Sequence, residues 1–341
     1  MTTLLDGRIA LKHGAGGRAM RTLIQDVLLA GLGSGDWIGA DQMDDGAAIR
    51  VGDAWLVITT DSHVVQPAFF PGGDIGRLAV CGTVNDLAMM GATEPLGLTC
   101  AVVLEEGFAR ESLQRVHESM RLACLESGTT IVTGDTKVMG RGEVDGIVIN
   151  TTGVALTHTL VRDAGLHAGD RIIVTGTIGD HGLAVMATRH QLGIEGTLRS
   201  DVAPLNALVR TAMAAAPGAI TAMKDPTRGG LASALHEMAD KGRVGVVLEE
   251  NALPVSDAVR GAAELLGIDS LHVANEGKAV IGVRADAADA VLRAIRAHPL
   301  GREAAIVGTC LAERPGLLVL DTGFGRRLIA EPEGEPLPRI C

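Results

Sequence analysis

Short apolar runs alternate with amphipathic stretches along the whole chain. Runs rich in Val, Ile and Leu predict strands over Trp55–Thr60, Leu98–Leu104, Thr130–Thr133, Gly146–Leu156, Arg171–Thr175, Val244–Leu248, Ala279–Val283, Ala304–Gly308 and Leu317–Leu320. Apolar positions at helical spacing predict helices over Arg18–Ala30, Arg110–Glu126, Leu183–Gln191, Ala203–Ala215, Leu231–Lys241 and Ala285–Ala297. Strands interspersed with helices point to an α/β (α+β) fold and exclude all-helical and all-β architectures.

The polar stretch Thr157–Gly169 separates one long strand from the next and predicts a division. It yields an N-terminal segment over 1–40, an N-terminal α/β domain over 41–157 and a C-terminal α/β domain over 165–330. The end differs in character. Residues 331–341, Glu331-Pro-Glu-Gly-Glu-Pro-Leu-Pro-Arg-Ile-Cys341, hold three of the 12 prolines and three glutamates, and predict an extended, mobile arm. In a polyproline geometry it would reach roughly 30 Å.

Composition narrows the function classes. A chain of 341 residues, 47% hydrophobic and 21% charged, has ample core and is not disordered as its main state. The formal charge of −11 argues against nonspecific binding to nucleic acid or to an anionic membrane. It permits phosphate ligands, because bound Mg²⁺ reverses the local sign. The first residues do not read as a signal peptide, and no run approaches the roughly 18 apolar residues of a membrane span, so a cytoplasmic location is expected.

The five cysteines, Cys81, Cys100, Cys124, Cys310 and Cys341, include no CxxC pair, which argues against a disulfide framework and a structural zinc site. Cys124 continues the stripe Leu113, Val116, Met120, and Cys100 and Cys310 fall in or beside strands; these three read as small buried hydrophobes. Cys81 precedes an expected loop and is less clear. Cys341, ending the arm, is either an accidental exposed thiol or a tethered nucleophile.

Candidate chemistry lies in five acidic segments near strand ends, expected as loops: Asp44-Asp45-Gly46-Ala47, Thr59-Thr60-Asp61-Ser62, Asn85-Asp86, Thr133-Gly134-Asp135-Thr136-Lys137 and Lys224-Asp225-Pro226-Thr227-Arg228-Gly229-Gly230. Any one Asp could simply cap a helix or make a turn. Five together suit a metal–nucleotide site, since Mg²⁺ takes carboxylate, phosphate and water oxygens. Commoner signatures fail. There is no P-loop, no HExxH, and Gly14-Ala-Gly16-Gly-Arg-Ala19 has no buried strand leading into it. Among the histidines, His63 and His181 stand out.

These segments, with His13-Gly-Ala-Gly-Gly17, Phe70-Pro-Gly-Gly-Asp-Ile-Gly76, Gly82-Thr-Val-Asn-Asp-Leu-Ala-Met-Met-Gly91, Asn150-Thr-Thr-Gly153, Gly176-Thr-Ile-Gly-Asp-His-Gly182, Asn275-Glu-Gly277 and the ending Pro338-Arg-Ile-Cys341, resemble the HypE family, the carbamoyl dehydratases of NiFe-hydrogenase maturation. The similarity spans the chain. Its most specific piece is the Pro-Arg-Ile-Cys end, which relatives in the wider aminoimidazole-ribonucleotide-synthetase superfamily lack. The resemblance implies a two-domain fold with a flexible C-terminal tail, and a homodimer whose N-terminal strands help form a shared barrel. It implies that HypF carbamoylates the terminal thiol, that ATP then drives dehydration of the S-carboxamide to a thiocyanate, and that the cyanide passes to iron on a HypC–HypD complex. By motif match, Asp45, Asp61, Asp86, Asp135 and Asp225 would hold Mg²⁺ and the phosphates of ATP, with Asn85, Gly134, Thr136 and Lys137 in the same site. Lys137 would neutralise charge at the transferred phosphoryl, and Glu276, or less directly His181, would be the base acting on the group carried by Cys341.

Other readings keep part of this. Selenophosphate synthetases carry a reactive residue near the N-terminus, whereas no Cys precedes Cys81 here. Thiamine-monophosphate kinases give no reason for a terminal Cys. A non-catalytic carrier needs no acidic phosphate site.

Overall fold

Alternation of apolar and polar residues sets one face of the first sheet against helices, whereas the central strands of the second sheet are buried on both faces. The computed structural model describes residues 8–33, 35–40, 42–194, 198–332 and 340–341. After a short helix α1 (Gly17–Leu23), continued by a π-turn through Leu28, come β1 (Ala47–Val51), β2 (Ala54–His63), the two-residue strands β3 (Phe69–Phe70) and β4 (Gly73–Asp74), α2 (Ile75–Met89), β5 (Pro95–Glu105), α3 (Arg110–Ser127), β6 (Ile131–Met139) and β7 (Ile147–Thr157). The five long strands form a sheet in the order β1-β2-β7-β5-β6, antiparallel except for β5 beside β6.

The second half holds β8 (Arg171–Val174), α4 (Asp180–His190), α5 (Asn206–Ala215), β9 (Ile220–Lys224), α6 (Gly230–Gly242), β10 (Gly245–Glu249), α7 (Asp257–Leu266), β11 (Val280–Val283), α8 (Ala288–Ala297), β12 (Ala305–Leu311), β13 (Leu318–Asp321) and β14 (Arg326–Ile329). Its sheet runs β14-β13-β10-β12-β8-β11-β9. No helix among the described residues is long and apolar enough to cross a membrane.

Helix α2 sits where the halves meet. Asp74 caps its N-terminus through the N–H groups of Gly76 and Arg77. One side packs on the first sheet and on α3; the far end, Ala88 and Met89, joins a core with Ile173, Leu205 and Leu208 of the second half. Strand β7 alternates buried and half-buried residues along most of its length, as a strand covered on one face should. Strand β6 is different: every residue from Ile131 to Met139 is exposed, on both faces.

All nine predicted strands and all six predicted helices have counterparts here, with shifted ends. Three of the five expected acidic loops are regular structure instead. Thr59–Ser62 continues β2, paired residue by residue with Asn150–Gly153 of β7. Asn85 and Asp86 lie in α2, and Thr133–Lys137 lies in β6. Of the cysteines, Cys81, Cys100, Cys124 and Cys310 are buried. Burial pushes the Cys81 and Cys310 thiols up to about 12 and raises those of Cys100 and Cys124, so all four stay protonated and inert.

Candidate active site

A cavity of about 400 Å³ opens between the two halves, roofed by α1 and the glycines before it. Its acidic wall comes from separate elements. Asp45 precedes β1, Asp61 lies in the polar end of β2, Asp86 projects from α2, and Asp225 follows β9. Gly82 and Asp86, one helical turn apart, share the face of α2 that meets β2. A Cβ at position 82 would lie 2.8 Å from His63 Nε2 and 3.2 Å from Asp61 Oδ2, so only glycine lets the helix approach. Thr59 ties the wall together, its single hydroxyl lying 2.9 Å from the Asp45 carbonyl oxygen and 2.8 Å from Asp86 Oδ2.

The electrostatics record crowding. Burial, then Asp225, Asp61 and Asp45, push the Asp86 carboxyl far above the usual range. Burial and Asp45 push Asp225 up to about 8. Asp61 goes the other way: burial opposes its charge, but His63, 3.1 Å away, and Arg228 hold it low. Lys224 balances part of the wall, reaching Asp45 (2.5 Å), Asp163 (3.5 Å) and Glu237 (3.4 Å); burial disfavours its charge, and those carboxylates keep it protonated.

Glu276 faces the same space. It is 4% exposed, its Oε1 has no hydrogen-bond partner, and burial, followed by Asp225, Asp61 and Asp201, raises its carboxyl well above the usual range. Asp45 Oδ2 is likewise buried without a partner. Among the described residues no three His, Cys, Asp or Glu side chains converge into a metal-binding group by themselves. Uncompensated carboxylates spread over one cavity nonetheless fit Mg²⁺, which uses one or two carboxylates and fills its remaining positions with phosphate and water.

The chain's last residue reaches this cavity. Cys341 is among its walls, half-buried, while Ile340 is fully buried beside it. Val64 N–H donates to the main-chain oxygen of Cys341 (3.2 Å) and His181 Nε2 to the carbonyl oxygen of Ile340 (2.5 Å). At the other end of the expected arm, Arg18 N–H donates to the Pro332 carbonyl (3.2 Å), and Arg21 pairs with Glu331. Residues 333–339 of that arm lie outside the described residues.

Residues 43–157 match the N-terminal domain, and 167–319 the C-terminal domain, of the AIR synthase related proteins. The carbamoyl dehydratase HypE of Azotobacter vinelandii is 46% identical over 341 residues, covering 99% of this chain and 98% of its own. This chain belongs to the HypE carbamoyl dehydratase family. Two solved HypE structures are similar throughout. A HypE–HypF complex aligns at 42% identity over 91% of this chain and 99% of the other, with a TM-score of 0.85. A HypE in complex with ATP aligns at 40% identity over 98% and 100%, with a TM-score of 0.80.

In this HypE-family chain the fold brings Asp45, Asp61, Asp86, Asp225, Glu276 and Cys341 to one cavity. Other predicted residues fall elsewhere. Asn85 is turned from the cavity: its amide donates to the carbonyls of Ala203 (3.1 Å) and Glu276 (3.3 Å) and accepts from Leu205 N–H (2.7 Å), so it positions backbone. Gly134, Asp135, Thr136 and Lys137 lie on exposed β6, outside the walls of this cavity, with Lys137 Nζ 3.3 Å from Asp135. His181 has both ring nitrogens engaged, by Ile340 and by Ser200, which leaves no free nitrogen to act as a base.

Lys224, Thr59 and Arg228 were not singled out by sequence, although each stood inside an acidic segment. Asp163 and Glu237 gave no signal, because only the fold carries them to Lys224.

Proposed function

We propose that this chain uses ATP to dehydrate a carboxamide carried on its own Cys341 sulfur, leaving an S-thiocyanate. The observation that supports the reading is a terminal cysteine lining the same acidic cavity as a buried glutamate that has one oxygen without a partner. A carboxamide oxygen is a poor leaving group. Transfer of the γ-phosphoryl to it makes phosphate the leaving group, and loss of the amide protons completes the nitrile. The balance is R–S–C(O)NH₂ plus ATP giving R–S–C≡N, ADP and phosphate.

Asp45, Asp61, Asp86 and Asp225 would hold Mg²⁺ together with the nucleotide phosphates. Mg²⁺, when bound, supplies positive charge to both the phosphates and the carboxylate wall. Glu276 takes the amide proton. Burial among carboxylates raises its affinity for protons, which makes it a stronger base than an ordinary carboxylate. Asp201 Oδ1 accepts from Glu276 N–H (3.0 Å) and Asn85 donates to its carbonyl, so the backbone carrying the base is fixed on both sides. Asp135 and Lys137 complete a partner's cavity in a homodimer joined along β6, with Lys137 offsetting charge at the transferred phosphoryl. A HypF carbamoyltransferase loads the thiol, a HypC–HypD complex accepts the cyanide, and the work is done in the cytoplasm.

Intact mass tests the reading. Incubation with HypF, carbamoyl phosphate and ATP should add about 43 Da at Cys341, and Mg·ATP should then remove about 18 Da as water is lost. An adduct that never loses water identifies a carrier, and no adduct returns the chain to the small-molecule kinases of its superfamily. Glu276→Gln should accept the first shift and stop before the second.

A further inference from the structure

His181 lies outside the acidic cavity and is the buried group with the most completely specified partners. It stands in the first turn of α4, fully buried, with Phe70 edge-on at 5.3 Å and 89°. Its Nε2 lies 2.5 Å from the Ile340 carbonyl oxygen and its Nδ1 2.8 Å from Ser200 Oγ. A carbonyl can only accept, so Nε2 carries the proton and Nδ1 of the neutral ring is an acceptor. Ser200 supplies what Nδ1 needs. Its oxygen accepts from Val202 N–H (3.1 Å), leaving its hydroxyl proton to donate to the ring.

We propose that His181, with its tautomer set by Ser200, is the latch that seats the chain's C-terminus and so governs how often Cys341 occupies the cavity. The proposal rests on the reading above, in which Cys341 carries the reacting group. His181 is a positioning residue: it holds the Ile340 carbonyl, and the sulfur follows one residue later. The Ile340 side chain, fully buried in the same apolar core as Leu183 and Val185, supplies the rest of the seat. The next residue after Ser200 has a matching task. Asp201 accepts from Glu276 N–H and pairs with Lys278 (3.0 Å), so two adjacent residues fix the positions of the carried group and of the base that meets it. A thiol loaded by a second protein has to leave this seat and return. One neutral hydrogen bond, worth a factor of about three to ten in net population, is a grip of suitable strength.

The test is alkylation of the full-length chain by iodoacetamide without nucleotide, quantified for Cys341 by peptide mass spectrometry. The buried Cys81 and Cys124 report whether each variant stays folded. His181→Phe fills the same space without a donor and should speed Cys341 alkylation about three- to tenfold. His181→Gln places an amide N–H near the lost Nε2–H and should return the rate to within about twofold of wild type. Ser200→Ala, the milder change, should speed it about twofold. The latch is overturned if His181→Phe reacts at the wild-type rate, or if the Phe and Gln variants are equally fast, which would leave packing as the whole effect. If His181→Phe exposes Cys81 and Cys124, Ser200→Ala decides alone, and a wild-type rate there counts against the latch. Mg·ATP binding by the wild-type chain is measured alongside. Its absence would remove the dehydratase reading while the alkylation order still decides the latch.

Discussion

Asp225 shows what a carboxylate wall demands of the protein by itself. Burial together with Asp45 opposes its charge, and Lys224 only partly offsets them. Replacing it with the neutral, equally sized Asn removes that repulsion, so Asp225→Asn should melt about 1–2 °C higher than wild type at pH 8 in chelator, the effect of about 1 kcal/mol in a chain this long. The same variant should lose Mg·ATP binding by calorimetry, separating stability from function. His181 gives a pH signature of the opposite kind. Burial holds its imidazole below the ordinary value of 6.5, although Asp201 and the Ile340 carbonyl pull it up. With the folded value depressed, the unfolded chain takes the proton first as pH falls; the site's contribution is intact above about pH 6.5 and shrinks below it. His181→Gln cannot titrate, so its melting temperature should fall less than wild type's between pH 7.5 and 5.5. Asp45, Asp61, Asp86 and Asp225 were legible in the sequence because each stands in a short polar segment of distinctive composition. The latch was not: its members are 159 residues apart, and spacing carries no trace of such a contact.

Among the elements, α2 matters most to the site and was the least visible. Its residues are buried almost all round, between a sheet, α3 and the second half, so no polar stripe announces a helix. The amphipathic helices α3 and α8, each with one wet face, were read without difficulty. The polar ends of β2 and β6 were read as loops for a related reason: Thr, Asp and Ser there face a cavity or solvent, and the apolar alternation that marks a strand stops before the backbone pairing does. Close packing of α2 on α3 gives a test. A Cβ on Gly76 would stand 2.4 Å from the Val116 carbonyl oxygen, a backbone atom that cannot turn aside. Alanine favours helix by up to about 1 kcal/mol, whereas overpacking costs about 1–3 kcal/mol. The clash wins. Gly76→Ala should melt about 1–3 °C lower, and should weaken nucleotide binding as Asp86 shifts with the helix.

The whole molecule leaves β6 as an open edge, with Val132 63% and Val138 68% exposed. An exposed strand with apolar residues on it invites pairing with another chain. In the proposed dimer that pairing has a chemical purpose, since Asp135 and Lys137 lie outside the cavity of their own chain. Wild type should therefore sediment at twice the 35.2 kDa chain mass, and Val132→Glu, which sets a charge on the edge, should shift it to the monomer. Mixing two inactive variants decides whether the lysine acts across the interface. In a heterodimer of Lys137→Ala with Cys341→Ala, the one remaining Cys341 belongs to the chain that lacks the lysine. If Lys137 serves its own chain, no pairing restores dehydration. If it serves the partner, half of the dimers in an equal mixture regain one of two sites, and roughly a quarter of wild-type turnover returns.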